Sequence, residues 1–225
     1  MLSYRKLAMR ALGRPLHTGG GINLPRPASQ RAAAFILTAA MLTTLTAPAF
    51  AGTWYIENGD ITVKAGDTEG TNKVKQGDSD FVKDEGDTII TGTSNQNTVT
   101  IETEKKDDKV EVTLKDVNID ASSRNEAAVS VTGKGDTNIE LDGDNKLQSG
   151  SGHAGLEHNK TDTSGELTIQ DNDKNGSLKA AGGQYGAGIG GAGAANDAQV
   201  KITGGKITAT GGEYGAGIGG GFKGS

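Results

Sequence analysis

Cysteine is absent from this chain of 225 residues, and aromatic residues make up only 4% of it. The absence of cysteine excludes disulfide bonds and thiolate chemistry, whichever compartment the protein reaches. Hydrophobic residues of all kinds amount to 33%, which is little for a globular core, whereas glycine contributes 36 residues. This composition leaves two readings open: a disordered low-complexity chain, or a repeat fold with a narrow core.

Acidic residues are absent from the first 51 positions, and all 28 Asp and Glu residues follow them. Six of the 23 basic residues precede that position, so residues 52–225 carry 17 basic and 28 acidic groups, a net charge of −11. Such acidity argues against nucleic acid and anionic membranes as partners. It is compatible with an exported protein or with a ligand bridged by a cation.

The first 51 residues have the pattern of a secretory signal peptide. A basic leader ends at Arg31, an apolar run covers 32–45, and the residues at 49–51 (AFA) form an A-x-A cleavage site. The alternative is a membrane anchor, but the apolar run is shorter than the roughly 20 residues that a spanning helix needs. The sequence therefore predicts a secreted or cell-surface protein without membrane insertion after cleavage.

The remaining chain contains an internal repeat. Residues 182–191 (GGQYGAGIGG) and 211–220 (GGEYGAGIGG) are nearly identical and 29 residues apart, and each follows a β-rich run. Apolar pairs that flank a corner recur along the chain at Ile56/Ile61, Leu114/Ile119, Leu141/Leu147, Ile169/Leu178 and Ile202/Ile207. Small residues recur at a similar period, at Ala128, Ala154, Ala187 and Ala216. A fixed period of this length indicates stacked repeats.

The predicted fold is all-β: a right-handed parallel β-helix (β-solenoid) with about 29 residues per coil. Alternating segments such as 110–114 (VEVTL) place every second side chain inside. We predict irregular N-terminal coils over 52–108 and regular coils over 109–225, roughly six coils in all. No sequence that could cap the last coil is evident, so the chain is predicted to be truncated at its C-terminus.

Several segments resemble a known family. Residues 54–63 (WYIENGDITV), 112–121 (VTLKDVNIDA), 138–155 (NIELDGDNKLQSGSGHAG) and the two GGxYGAGIGG blocks resemble secreted clostridial-type proteins with a carbohydrate-binding right-handed parallel β-helix. The resemblance implies non-catalytic binding of plant cell-wall polysaccharide, particularly pectin-type chains, with calcium bound on the solenoid. It transfers no individual site residue.

Two tyrosines at equivalent repeat positions form the candidate carbohydrate site. Tyr185 and Tyr214 are expected to lie on one face, about 5 Å apart on successive coils. Exposed rings offer flat apolar platforms to sugars, and the neighbouring Gln184 and Glu213 can reach sugar hydroxyls. The alternative is a structural ladder of tyrosine on tyrosine.

A candidate calcium site follows from the segment 171–176 (DNDKNG), which matches the first half of a calcium-binding loop. Its ligands would be Asp171, Asp173 and Asn175. Asp142 and Asp144, on the corresponding corner of the preceding coil, could share the ion. The closing glutamate of the motif is missing, since Gly182 stands there, so a hydrated acidic turn is the alternative.

The sequence offers no catalytic motif. Arg124, the only arginine after the leader, has no evident partner, and His153 and His158 are interpreted as solvated or corner residues. The sequence therefore predicts a non-enzyme: a secreted carbohydrate-binding β-helix for pectin-type chains or cellulose, with calcium as a candidate cofactor. The alternatives are a structural or adhesive stalk of a bacterial surface protein and a polysaccharide lyase. The oligomeric state is left open.

Overall fold

The chain folds into a parallel β-solenoid. The computed structural model describes residues 52–196 and 199–224, and the predicted signal peptide at 1–51 lies outside them. Within the described residues the only helical element is a single 3-10 turn, Ile56–Asn58. We use "coil" for one circuit of the chain around the solenoid axis. The all-β solenoid predicted from the repeat is confirmed.

Seventeen strands in the described part of the chain form two sheets. The strands of the N-terminal half are β1 (Thr53–Tyr55), β2 (Ile61–Ala65), β3 (Asn72–Gln76), β4 (Val82–Asp84), β5 (Thr88–Ser94), β6 (Val99–Thr103), β7 (Lys109–Asp120) and β8 (Val129–Gly133). Those of the C-terminal half are β9 (Asp136–Asp142), β10 (Asp144–Gln148), β11 (Leu156–Glu157), β12 (Leu167–Gln170), β13 (Ser177–Ala181), β14 (Ile189–Gly190), β15 (Val200–Ile202), β16 (Lys206–Thr210) and β17 (Ile218–Gly219).

One sheet makes the repeat directly visible. Its parallel strands follow the order β2, β6, β8, β11, β14 and β17. Val129 pairs with Leu156, Leu156 with Ile189, and Ile189 with Ile218, so successive coils are 27, 33 and 29 residues apart. These steps confirm the period predicted from the glycine-rich repeat.

The other sheet carries the regular part of the solenoid. The long strand β7 bends at Asp116, whose φ is +50°, and pairs with β9 before the bend and with β10 after it. From there β9, β12 and β15 continue one row, and β10, β13 and β16 continue the adjacent row. The part from β7 onward makes about four coils.

The N-terminal part deviates from the period because it contains a hairpin. Strands β3 and β4 pair antiparallel with each other, and β3 pairs antiparallel with β2. The hairpin lies between a first coil, β1 and β2, and a second coil, β5 and β6. In the second coil, Ile90 pairs with Leu114 and Val99 pairs with Val129. The irregularity predicted before position 109 therefore has a defined cause.

The core is a narrow stack of aliphatic side chains from alternate strand positions. Val112, Ile139 and Ile169 pair in register and are at most 2% exposed. Full burial of one such side chain contributes about 1.5–3 kcal/mol. Ile202 continues the same row but is 39% exposed, because no further described strand covers the last coil. Because each coil needs only a few inward side chains to fill this narrow core, a chain with few apolar residues can fold.

One corner differs from the sequence-based alignment. The prediction aligned Leu141 and Leu147 with the Ile169/Leu178 pair, whereas the partner of Ile169 is Ile139 and the partner of Leu178 is Asn145. Asn145 is only 2% exposed; its side-chain oxygen accepts the N–H of Val117 at 3.0 Å. Its amide group donates to the carbonyl of Ser177 at 3.2 Å. The alignment failed here because a buried asparagine, which forms hydrogen bonds with backbone groups of the corner, occupies a position where the pattern expected an apolar residue.

The glycines of the repeat allow the corners to stack closely. A Cβ atom on Gly186 would lie 1.9 Å from the carbonyl oxygen of His153 in the coil before it. A Cβ atom on Gly215 would lie 2.0 Å from the carbonyl oxygen of Gly186. Any larger residue would force the two coils apart, so the glycine in the GAGIGG block is required by backbone-to-backbone approach.

Candidate functional site

Three aromatic rings form an exposed cluster at one corner of the last two coils. The rings of Tyr185 and Tyr214 stack with centroids 5.5 Å apart and 13° between their planes. Phe222 packs against both at 5.5 and 5.4 Å in tilted geometry. Tyr214 is 49% and Phe222 37% exposed, and Tyr185 is half-buried. We call these three residues the aromatic cluster.

Phe222 was missed in the sequence, because the equivalent position one period earlier is a glycine. Gly193 lies 29 residues, or one period, before Phe222. A Cβ atom placed on Gly193 would lie 3.0 Å from the Cβ atom of Tyr185. The backbone of Phe222 is fixed beside the same tyrosine, since its N–H donates to the carbonyl of Tyr185 at 2.8 Å. The Nζ atom of Lys223 lies 5.2 Å from the Phe222 ring centroid and places a cation next to the cluster.

The polar residues beside the tyrosines bond to each other across the two coils. The amide of Gln184 donates to the carboxylate of Glu213 at 3.0 Å. Hydrogen bonds from Gln184 and then from Tyr214 lower the pKa of Glu213 below its ordinary value. The pKa of the Tyr214 hydroxyl is raised, mainly because this hydroxyl forms a hydrogen bond with Glu213. Glu213 is therefore ionised at neutral pH, and all four residues predicted for this site lie together.

The candidate calcium ligands lie on adjacent coils as predicted, and Asp171, Asp142 and Asp144 each have hydrogen-bond partners within the protein. One oxygen of Asp171 accepts the N–H groups of Asn175 at 3.1 Å and Gly176 at 3.2 Å. Asp144 accepts the hydroxyl of Ser177 at 2.6 Å. These are bonds that close a turn and link neighbouring coils.

Asp142 is held by a cation of the protein itself. Its carboxylate contacts the Nζ atom of Lys115 at 2.6 Å and accepts the side-chain amide of Asn175 at 3.2 Å. The bond to Asp142 raises the pKa of Lys115. Asp173 is exposed and borders a groove of about 380 Å³ that Asp142 also lines. Within residues 52–196 and 199–224, no group of three or more His, Asp or Glu side chains converges in a way that could hold a metal ion. Calcium binding stays a prediction.

The residues that suggested catalysis have structural partners. Arg124 lacked an evident partner in the sequence, but its guanidinium lies 2.7 Å from Glu126 and 3.7 Å from Asp60. His158 is buried, with its ring nitrogens 3.1 and 2.9 Å from the carbonyl oxygens of Val131 and Gly165. Of the two interpretations, a solvated or a corner residue, burial excludes the first for His158, which directly follows β11.

Comparison with family models, curated proteins and solved structures finds no match to this chain. Among the described residues, no helix is both long enough and apolar enough to cross a membrane. The site must therefore be interpreted from its own geometry.

Proposed function

We propose that the protein is a secreted or cell-surface, non-catalytic β-solenoid that binds polysaccharide. The aromatic cluster is the observation that carries this proposal. The described residues contain only six aromatic side chains, and three of them meet at this single exposed corner. Aromatic residues gathered at the surface are typical of interaction sites rather than of chance exposure.

The chemistry of the corner suits a sugar chain. Aromatic rings offer flat apolar surface to the C–H faces of a sugar ring, and polar groups beside them orient its hydroxyls. Gln184 and Glu213 supply an amide and a carboxylate whose positions are fixed by their mutual bond of 3.0 Å. Residues 52–225 carry a net charge of −11, which favours a neutral glycan such as cellulose over pectate. Binding of pectate would require a bridging cation.

Retention on insoluble glycans tests this function. The full chain is incubated with cellulose, chitin and pectate, each with and without EDTA, and the bound fraction is measured. We expect retention on a neutral glycan that EDTA does not reduce. Retention on pectate that is lost with EDTA would support the calcium-assisted version. No retention on any glycan would contradict carbohydrate binding, and release of unsaturated uronides, seen as ultraviolet absorbance, would indicate a lyase.

A structural or adhesive stalk is the second candidate, and one specific observation favours it. The near-parallel stack of Tyr185 and Tyr214 covers one face of each ring, as a purely structural ladder would. A folded protein that no glycan retains, and that unfolds cooperatively, would favour this stalk.

A further inference from the structure

A second polar groove lies along the same corner, in the coils before the aromatic cluster. It has a volume of about 400 Å³, and its walls include Asp60, Arg124, Glu126, His153 and Glu157. We call it the corner groove. It could not be predicted from the sequence, because its residues come from four different coils and are separated by as many as 97 positions.

The floor of the corner groove is a row of hydroxyl groups. Thr62 pairs with Thr100, and Thr100 with Ser130, on three successive parallel strands. All three are half-buried, and among the described residues none of their hydroxyls makes a hydrogen bond. Parallel strands stand about 4.8 Å apart, so the row presents unused hydroxyls at regular intervals. Such groups are available to a ligand rich in hydroxyls.

Ion pairs and a hydrogen bond connect the residues of one wall of the groove. Arg124 lies 2.7 Å from Glu126 and 3.7 Å from Asp60, and the same Asp60 oxygen accepts the N–H of Thr98 at 2.7 Å. The Arg124 side chain is 29% exposed, so part of its donor set faces the groove. Preorganised donors and acceptors lose little conformational entropy when a ligand binds.

The next coil contributes a histidine that contacts a nearly buried carboxylate. The Nδ1 atom of His153 lies 2.8 Å from Glu157, which also accepts the side-chain amide of Asn159 at 2.9 Å. This leaves the Nε2 atom of His153 without a partner among the described residues. Asp60, Glu126, Glu157 and Arg124 together give the groove a formal charge of −2. The groove therefore suits a neutral polyhydroxyl ligand and disfavours an anionic one.

The corner groove and the aromatic cluster follow one another along a continuous line of stacked corners. The carbonyl of Glu126 accepts the N–H of Gly150 at 3.0 Å, and the carbonyl of His153 accepts the N–H of Gly183 at 2.9 Å. Tyr185 follows Gly183 by two residues. From the coil of Glu126 to the coil of Tyr214 there are three steps, a distance of about 14 Å along the axis. A single extended chain can therefore contact both regions.

We propose that the corner groove is a second subsite for a neutral hexose chain that also contacts the aromatic cluster. This inference rests on the proposed function and extends it. In the groove, Arg124 and Glu126 form hydrogen bonds with sugar hydroxyls. The hydroxyl groups of Thr62, Thr100 and Ser130 form hydrogen bonds with the glycan from the floor of the groove. The glycan runs parallel to the solenoid axis.

Chain length separates the two subsites experimentally. Cellobiose is short enough to occupy the aromatic cluster alone, whereas cellohexaose can reach the corner groove. Isothermal titration calorimetry of the full chain is expected to give tighter binding of cellohexaose than of cellobiose. Arg124→Ala should weaken cellohexaose binding about tenfold, equivalent to about 1.4 kcal/mol, and leave cellobiose binding unchanged. Ser130→Gln, which adds bulk to an outward-facing position, should have the same selective effect.

Lys146→Ala is the matched control for the lost charge, because Lys146 is exposed on β10, on the other sheet. It should leave both affinities unchanged, and each variant must retain the unfolding midpoint of the wild type. Equal affinity of the wild type for the two oligosaccharides, or unchanged cellohexaose binding in both groove variants, would overturn the second subsite and leave the proposed function standing. Failure of the wild type to bind either oligosaccharide, with no retention on any glycan, would instead contradict the proposed function.

Discussion

The rings of Tyr185 and Tyr214, one repeat apart in the sequence, lie 5.5 Å apart with only 13° between their planes. The stacking follows from the register, because Ile189 and Ile218 pair in the strands that follow the two tyrosines. The stack covers one face of each ring, as in a structural ladder, and Tyr214 remains 49% exposed. The two readings of the sequence are therefore compatible.

The stacked tyrosines should stabilise each other measurably. In a double-mutant cycle with Tyr185→Ala, Tyr214→Ala and the double variant, we expect a coupling free energy of about 1 kcal/mol from urea unfolding. Phe222 remains in all four proteins and contacts both rings. Additive losses, with no coupling, would mean that the rings do not stack in solution.

Close stacking of the corners predicts a strong effect of one added methyl group. Gly186→Ala should lower the free energy of unfolding by at least about 3 kcal/mol, because its Cβ atom would overlap the carbonyl oxygen of His153. Gly70→Ala is the control: Gly70 has a φ of +78° but open space around its Cβ position. That variant should lose only about 1–2 kcal/mol, from backbone strain. Similar losses in the two variants would contradict the close approach.

The bond between Gln184 and Glu213 predicts a shifted titration. The pKa of the Glu213 carboxyl should lie below its ordinary value of 4.5, and Gln184→Leu should move it back toward that value. Because the folded-state pKa is depressed, the bond stabilises the protein above the unfolded-state pKa, and this stabilisation disappears as the pH falls through the folded-state value. NMR titration of the side-chain carboxyl carbon measures both shifts. An unchanged pKa in Gln184→Leu would show that the bond does not form.

The N-terminal hairpin is fixed to the first coil by Asp84, which is only 2% exposed. Its carboxylate accepts the N–H of Gly52 and the indole N–H of Trp54, both at 2.9 Å. Asp84→Asn replaces one acceptor oxygen with a donor and should cost about 2 kcal/mol. Trp54 is the only tryptophan, so its fluorescence reports the unfolding directly. The exposed Asp80→Asn serves as the control, and equal stability of the two variants would exclude the proposed role of Asp84.

The solenoid could be predicted from the sequence because the repeat period appears at positions where the fold allows few residue types. Gly186 and Gly215 are fixed by contact between neighbouring backbones, and Ile139 and Ile169 by the interior. The hairpin of β3 and β4 was not predicted, since it interrupts the period and its strands pair locally. Asn145 misled the alignment, because a buried polar residue took the place of an apolar one.

The candidate site was predictable only where it repeats. Tyr185 and Tyr214 share a repeat position, and Gln184 and Glu213 precede them in both copies. Arg124 and Asp60 contact each other across 64 positions, and no local pattern in the sequence connects them. Their contact depends on how many residues each coil contains, and the inserted hairpin changes that number in the first coils.

Binding of polysaccharide at the aromatic cluster is tested most directly with two tyrosine variants of equal exposure. Tyr214 in the cluster and Tyr55 in β1 are both 49% exposed. On the insoluble glycan that retains the wild type, Tyr214→Ala should lose most of its retention and Tyr55→Ala should keep it. Equal retention of the two variants would contradict a glycan site at the aromatic cluster.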